Sequence, residues 1–194
     1  MISRRIQTVV AIVLLAGTAP PVAAQELILR LDPKDTRADF TLSATMHSVE
    51  GSFALKRGEI RFDPSSGKVS GEIVFDAASG QSGNDRRDHK MHKDVLESER
   101  YPEITFRPEK VDGAVALQGS SNVTITGIFA IHGTEQPMTA PVQLTASPDK
   151  WAGEVHFLVP YAKWGMKNPS TFMLHVAGSV DVTMHFSGAI SPSR

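Results

Sequence analysis

Cysteine is absent from this sequence of 194 residues. Its absence excludes disulfide bonds, thiol catalysis, cysteine-based zinc sites and the lipid-modified cysteine that anchors a lipoprotein. The fold must therefore be held together by its hydrophobic core and its backbone hydrogen bonds, for which a chain of this length is adequate.

An excess of charge of either sign is missing as well. The chain has 20 basic and 21 acidic residues and a formal net charge of -1. Domains that bind nucleic acid normally carry a basic excess, so we expect no nucleic-acid partner. The proportions of hydrophobic residues, 41%, and charged residues, 21%, are those of an ordinary globular protein.

Long apolar runs and common catalytic motifs are also lacking. Beyond the N-terminus, no stretch approaches the roughly 20 apolar residues that a membrane-spanning helix needs, so we expect no stable membrane span. The sequence contains neither a Gly-x-Ser-x-Gly elbow nor a His-Glu-x-x-His motif. We therefore expect a protein that is not an enzyme.

The N-terminus has the three parts of a secretory signal. Two early arginines precede an apolar run at residues 9–16, and Val22-Ala23-Ala24 supplies the small residues that signal peptidase requires. This pattern predicts a signal peptide at residues 1–24, a single domain at residues 25–194, and a periplasmic or secreted location. The alternative interpretation is an uncleaved membrane anchor.

Alternation of apolar and polar residues dominates the rest of the chain. Such period-two patterns are typical of half-buried β-strands, and turn residues separate them here into eight or nine segments. Long strands in a small protein favour a closed barrel, because closure removes exposed sheet edges. We therefore predict an all-β antiparallel fold. The clearest segments are residues 40–44, 69–75, 123–131, 153–159 and 172–186.

One polar segment, residues 80–99, interrupts the β pattern. Ser82 and Asp85 have the spacing of a helix capping box. Three apolar residues follow at helical spacing and form a narrow stripe: Met91, Val95 and Leu96. We predict a short helix inserted between strands.

The insert and the strand after it resemble the YceI-like family, whose members carry a similar "GN..RD.H … YP.I.F" pattern. The resemblance covers residues 32–186, and a later Ile131-His132-Gly133 is similar to the family's "IHG" segment. The order and spacing of these motifs make the resemblance specific. The matching residues are Gly83, Asn84, Arg87, Asp88, His89, Tyr101, Pro102, Ile104 and Phe106.

The resemblance implies an extended lipocalin-like antiparallel β-barrel of about eight strands with a short helical insertion. It also implies a periplasmic or secreted protein that holds a long-chain lipid such as a polyisoprenoid, an isoprenoid quinone or a fatty amide. We therefore expect non-catalytic binding, storage or transport of such a lipid, with no other cofactor. A homodimer and a transient membrane contact are left open.

Candidate ligand-binding residues fall into two groups. The apolar rows would contact the lipid chain, although a barrel filled by its own side chains would have the same rows. Gly71 and Gly127 would either leave space for the chain or mark bends. The candidates for chain contact are Phe40, Leu42, Ile73, Phe75, Phe106, Ile125, Phe129, Phe157 and, at the barrel mouth, Trp164. The candidates for a polar head group are Arg87, Asp88 and His89.

A second function class rests on two histidines of the insert. His89 and His92 are three residues apart, so on a helix both would face one metal ion, which Asp85 or Asp88 would also bind. This alternative is a metal-dependent enzyme or metal sensor. The competing interpretation is that both are surface or capping histidines.

Overall fold

The computed structural model describes residues 25–45, 47–172 and 174–193, and the predicted signal peptide at residues 1–24 lies outside them. Strands make up most of the described chain. They are β1 (Leu27–Leu31), β2 (Arg37–Ser43), β3 (Ser48–Phe62), β4 (Val69–Asp76), β5 (Glu103–Asp112), β6 (Gly119–Ile131), β7 (Thr134–Ala146), β8 (Lys150–Val159) and β9 (Val180–Pro192).

These strands fill the eight positions of a closed antiparallel barrel. Around the wall the order is β2-β9-β8-β7-β6-β5-β4-β3, and the ring closes because β3 pairs with both β2 and β4. Strand β1 shares the position of β2 and pairs with the same two neighbours, β3 and β9. The prediction of an all-β barrel of about eight strands with a helical insertion is confirmed.

The break between β1 and β2 has a local cause. Pro33 has no N–H to donate to a neighbouring strand, and the Asp32 carboxylate accepts a hydrogen bond from the Lys34 N–H at 2.9 Å. The chain re-enters the barrel wall at the buried Thr36. Its hydroxyl donates to the Ser187 carbonyl and accepts from the Ser187 N–H, both at 3.2 Å. Strand β2 therefore continues the line of β1 after a turn.

The connections at the two ends of the barrel differ in length. The lower end carries the short connections from β3 to β4, from β5 to β6 and from β7 to β8. The upper end carries the β2–β3 turn and the His132-Gly133 turn between β6 and β7. It also carries two long segments: the helical insert (residues 77–102) and the β8/β9 loop (residues 160–179).

The helical insert confirms the predicted short helix. It has three pieces: a 3-10 turn at Ala77–Ser79, helix α1 at Asp85–Lys90, and a π-helical continuation at Met91–Leu96. Leu96 is buried, and Met91 and Val95 pack against the core, as their spacing predicts. No helix among the described residues is long and apolar enough to cross a membrane.

The predicted capping residue of this helix is wrong. Asn84, not Ser82, is the N-cap, and its side-chain oxygen accepts a hydrogen bond from the Arg87 N–H at 3.1 Å. Ser82 does not cap α1 because its N–H and hydroxyl both donate to the Asp88 carboxylate.

The predicted strand at residues 172–186 is wrong in its first half. Strand β9 begins at Val180, and in the β8/β9 loop the one isolated β-bridge that the structure describes joins Val176 to Ala44. Alternation persists in the sequence because Leu174 and Val176 both line the barrel interior. The loop therefore has an inward face without being part of the sheet.

Candidate functional site

The barrel interior contains a cavity of about 640 Å³. This volume lies within the usual range for sites that bind small molecules. Nearly all of the lining is apolar, and it comes from every barrel position. The structure therefore favours an open interior over a barrel filled by its own side chains.

The predicted chain-contact residues of the strands all face this cavity. Because successive side chains of a strand point to opposite sides of the sheet, the alternating pattern identified the inner face correctly. The residues on this face are Phe40, Leu42, Ile73, Phe75, Phe106, Ile125, Phe129 and Phe157.

Trp164 stands apart from them, because it is not among the residues that line the cavity. Its ring packs against that of Phe129, with centroids 5.8 Å apart, and thereby supports the cavity wall. Two other residues of the same loop, Tyr161 and Met166, are buried and line the cavity instead. Neither Tyr161 nor Met166 was among the predicted chain-contact residues.

The lower end of the cavity is closed by aromatic packing. The rings of Phe62 and Trp151 meet edge to face, with centroids 6.2 Å apart, and both residues are buried. At the upper end, by contrast, exposed residues such as Asn84 and Arg86 line the cavity. The cavity therefore opens to solvent at the upper end, beside the helical insert.

Polar lining is concentrated at this opening. A polar rim consists of six residues, five of them on the helical insert: His47, Ser82, Asn84, Arg86, Arg87 and Lys90. Of the predicted head-group residues, Arg87 belongs to this rim. Asp88 is half-buried, His89 is exposed, and neither lines the cavity.

Arg87 and Asp88 both bind Ser82, and these contacts within the insert fix the geometry of its first turn. Arg87 donates from Nε to the Ser82 hydroxyl and from Nη2 to the Ser82 carbonyl, both at 2.7 Å. The Asp88 carboxylate accepts from the Ser82 N–H at 2.9 Å and from its hydroxyl. Burial alone would raise the pKa of Asp88, but the hydrogen bonds from Ser82 and the charge of Arg87 outweigh it and lower that pKa.

The far end of the insert is fastened by a second cluster. His132 in the β6–β7 turn hydrogen-bonds Glu97 through Nε2 at 3.1 Å, and its ring packs on Tyr101 with centroids 4.6 Å apart. Both His132 and Gly133 have positive φ, as a two-residue hairpin turn requires. Gly133 also lets the Tyr101 ring approach closely. Arg87 and Asp88 therefore brace the insert internally, and its beginning is joined to the barrel through Gln81, whose N–H and carbonyl pair with Ser52 of β3. The motif residue His132 holds the far end of the insert against the barrel.

The structure gives no support to the metal hypothesis. Both ring nitrogens of His92 are engaged, Nε2 with the Gly80 carbonyl at 2.8 Å and Nδ1 with the Ser98 hydroxyl at 3.3 Å. His89 is exposed on α1. Among the described residues, no group of three or more metal-binding side chains comes together.

Gly71 and Gly127 mark bends in the wall instead of free space. A Cβ atom at Gly71 would overlap the Glu59 carbonyl, and one at Gly127 would overlap the Arg107 carbonyl. Gly71 also has a φ of 114°, which favours glycine. These close approaches of neighbouring backbones fit the interpretation that both glycines bend their strands.

A closed antiparallel barrel with an apolar cavity, open at one end beneath a helical insert, defines a lipocalin-like binding barrel. The chain belongs to the YceI-like family, since the model of the YceI-like domain matches residues 29–188.

Solved structures with the same fold share little sequence with this chain. Burkholderia cenocepacia BcnA is 18% identical, with a TM-score of 0.67, over 81% of this chain and 99% of that one. A polyisoprenoid binding domain from Saccharophagus degradans, implicated in plant cell wall breakdown, is 16% identical, with a TM-score of 0.64, over 83% and 98%. The Campylobacter jejuni YCEI protein is 14% identical, with a TM-score of 0.52, over 98% and 99%. No curated protein sequence is significantly similar.

Proposed function

We propose that this protein binds one long-chain apolar lipid in the barrel cavity and stores or transports it without changing it chemically. The candidates are a polyisoprenoid, an isoprenoid quinone and a fatty amide. The observation that carries the proposal is the lining of the cavity, which is apolar from the closed lower end to the polar rim.

Binding in such a cavity depends on water exclusion and dispersion. Burial of apolar surface contributes roughly 25 cal/mol per Å², so a long chain needs no polar contacts along its length. Each methylene group adds only about 0.8 kcal/mol. The cavity therefore selects for an apolar chain and discriminates weakly between chains of similar length.

The orientation of the ligand follows from the position of the polar rim. The apolar chain would extend toward Trp151 at the closed lower end, and the polar head would stay at the opening, near Arg86 and Lys90. Both cations are exposed, so they can bind a phosphate or an amide oxygen without being desolvated. Arg87 already donates hydrogen bonds to Ser82, so it would hold Ser82 in position on the rim instead of binding the head group.

Two observations outside the cavity support the proposal. The S. degradans domain of the same fold is described as polyisoprenoid binding. The signal peptide predicted at residues 1–24 would direct the protein to the periplasm, where a lipid that leaves one membrane needs a carrier to cross water.

Native mass spectrometry of the protein purified from its own periplasm tests this function. We expect one lipid molecule per chain, and organic extraction followed by mass analysis would identify it. The extracted lipid should be unchanged after rebinding and incubation. Protein that carries no lipid and fails to bind added polyprenol, ubiquinone or fatty amide would overturn the proposal.

A further inference from the structure

A fully exposed aromatic ring lies at the open end of the barrel. Phe172 in the β8/β9 loop is 100% exposed, whereas the other exposed large apolar residues described, Leu117 and Leu158, are 50% and 54% exposed. Pro169 and Leu174, on either side of Phe172 in the same loop, line the cavity. The apolar surface of the cavity thus continues outward to Phe172.

Four exposed cations lie at the same end of the barrel as this ring. The β8/β9 loop contains Lys163 and Lys167 and has neither Asp nor Glu. Both lysines are exposed, as are Arg86 and Lys90 on the polar rim. None of these four cations forms an ion pair with another residue that the structure describes.

The helical insert does not cancel this charge. It contains five acidic and five basic residues, so it is neutral as a whole. Two of the acidic residues, Asp88 and Glu97, are hydrogen-bonded within the contacts that fasten the insert. The two lysines of the β8/β9 loop are therefore not offset by an acidic residue of that loop or by a net charge of the insert.

We propose that the upper end of the barrel docks on an anionic lipid bilayer. Phe172 enters the interfacial region, where aromatic side chains are favoured, and Lys163 and Lys167 contact the lipid head groups. Docking brings the cavity opening against the membrane, so that a lipid chain exchanges without crossing water. This role in exchange rests on the lipid-binding function proposed above.

A bilayer fits this surface better than a protein partner does. Stable protein interfaces bury roughly 1,200 Å² or more and have a well-packed apolar centre. Here a single exposed ring stands among flexible cations, an arrangement that matches an interface of lipid head groups and chain ends.

Co-sedimentation with sucrose-loaded vesicles tests the docking. We expect the purified lipid-free protein to bind vesicles of phosphatidylcholine mixed with phosphatidylglycerol, and to bind pure phosphatidylcholine vesicles much more weakly. Phe172→Ser should lower binding to the mixed vesicles roughly tenfold. Leu117→Ser, which removes an exposed apolar residue at the lower end, should change it less than about twofold.

Charge is tested with a matched pair of double variants. Lys163→Gln with Lys167→Gln should lower binding to the mixed vesicles roughly tenfold and leave the weak binding to phosphatidylcholine unchanged. Lys34→Gln with Lys68→Gln, which removes two exposed lysines that lie away from the upper end, should have little effect.

Binding of cis-parinaric acid, a fluorescent long-chain fatty acid, in the absence of vesicles separates this inference from the proposed function. All four variants should bind the probe as the unaltered protein does. Failure of the unaltered protein to bind mixed vesicles, or equal binding by Phe172→Ser, overturns the docking proposal alone. Failure to take up the probe or any long-chain lipid, with vesicle binding intact, overturns the lipid-binding proposal instead.

Discussion

Gly153 on β8 lies directly opposite Phe186 on β9, and a Cβ atom at Gly153 would stand 2.7 Å from Cζ of the Phe186 ring. The ring therefore lies along the wall, over the glycine. Phe40 covers Gly51 in the same way on the neighbouring pair of strands. Large aromatic residues can thus line a small barrel without filling it.

Gly153→Ala should destabilise the barrel by about 1–3 kcal/mol, because the added methyl group forces the ring of Phe186 off the wall and overlaps the Gln143 carbonyl. Urea unfolding measures this change in the free energy of unfolding. Gly178→Ala is the control, since its Cβ would meet no backbone atom, its nearest neighbours being the methyl group of Ala162 at 3.3 Å and the Asn168 amide nitrogen at 4.0 Å, and it should change stability by less than about 0.5 kcal/mol. Equal stability of the two variants would contradict the conclusion that the Phe186 ring needs a glycine opposite it.

Filling the cavity should abolish ligand binding without unfolding the protein. Ala38 on β2 lines the cavity, so Ala38→Phe places a ring in the space that the lipid chain would occupy. We expect titration with cis-parinaric acid to show at least a tenfold weaker affinity, a loss of about 1.4 kcal/mol. Ala189→Phe makes the same substitution on the exposed outer face of β9 and should bind normally. Normal binding by Ala38→Phe would place the ligand elsewhere.

Phe129→Asp should prevent folding or ligand retention. Phe129 is buried against Phe157 and Trp164, and a carboxylate there would have no partner, at a cost of several kcal/mol. Thermal unfolding and the lipid content of the purified protein report the two effects. Leu158→Asp, on an exposed side chain of β8, is the control and should keep both properties. If Phe129→Asp kept both its fold and its lipid, the side chain of Phe129 would have to point away from the cavity.

Acid should loosen the beginning of the helical insert through Asp88. Because hydrogen bonds from Ser82 lower its pKa below the ordinary 3.8, Asp88 contributes stability above that value, and the contribution is lost as the pH falls through the lowered pKa. The protection of the Ser82 N–H against hydrogen exchange, measured relative to the intrinsic exchange rate at each pH, should therefore fall below about pH 4.

Asp88→Asn provides the comparison. It should show lower protection at Ser82 already at neutral pH, and little further change in protection on acidification. Asp63 in the β3–β4 turn, whose pKa the Ser65 and Ser66 hydrogen bonds lower to about 2, still titrates in both proteins. A pH dependence at Ser82 that is identical in the two proteins would assign it to another group.

The sequence predicts the wall of the barrel better than its upper end. Alternation is a local signal, so it identified the inward side chains of Phe40, Ile125 and Phe129 correctly. The same signal failed at Leu174, which faces the cavity from a loop. It failed there because alternation reports which side is apolar and does not report whether a neighbouring strand is present.

Contacts that fasten the helical insert could not be predicted from spacing. Glu97 and His132 are 35 residues apart in the chain, and each lies in a connection whose direction depends on the closed barrel. Ser82 was misassigned as a capping residue because its contact with Asp88 competes with the capping geometry. The family motif was the sequence signal available for these residues. Their contacts support the opening of the cavity more than they contribute to contact with a ligand.

Because the helical insert is bonded to β3 at Gln81 and to the β6–β7 turn at Glu97, it is held against the barrel near both of its ends and cannot move away from the entrance as a hinged cover would. The opposite side of the entrance is formed by the β8/β9 loop, which is joined to the end of β2 by the Ala44–Val176 bridge and by hydrogen bonds from Ala177 to Ser43 and from Thr45 to His175. Widening of the entrance for a bulky chain would therefore require these hydrogen bonds to break.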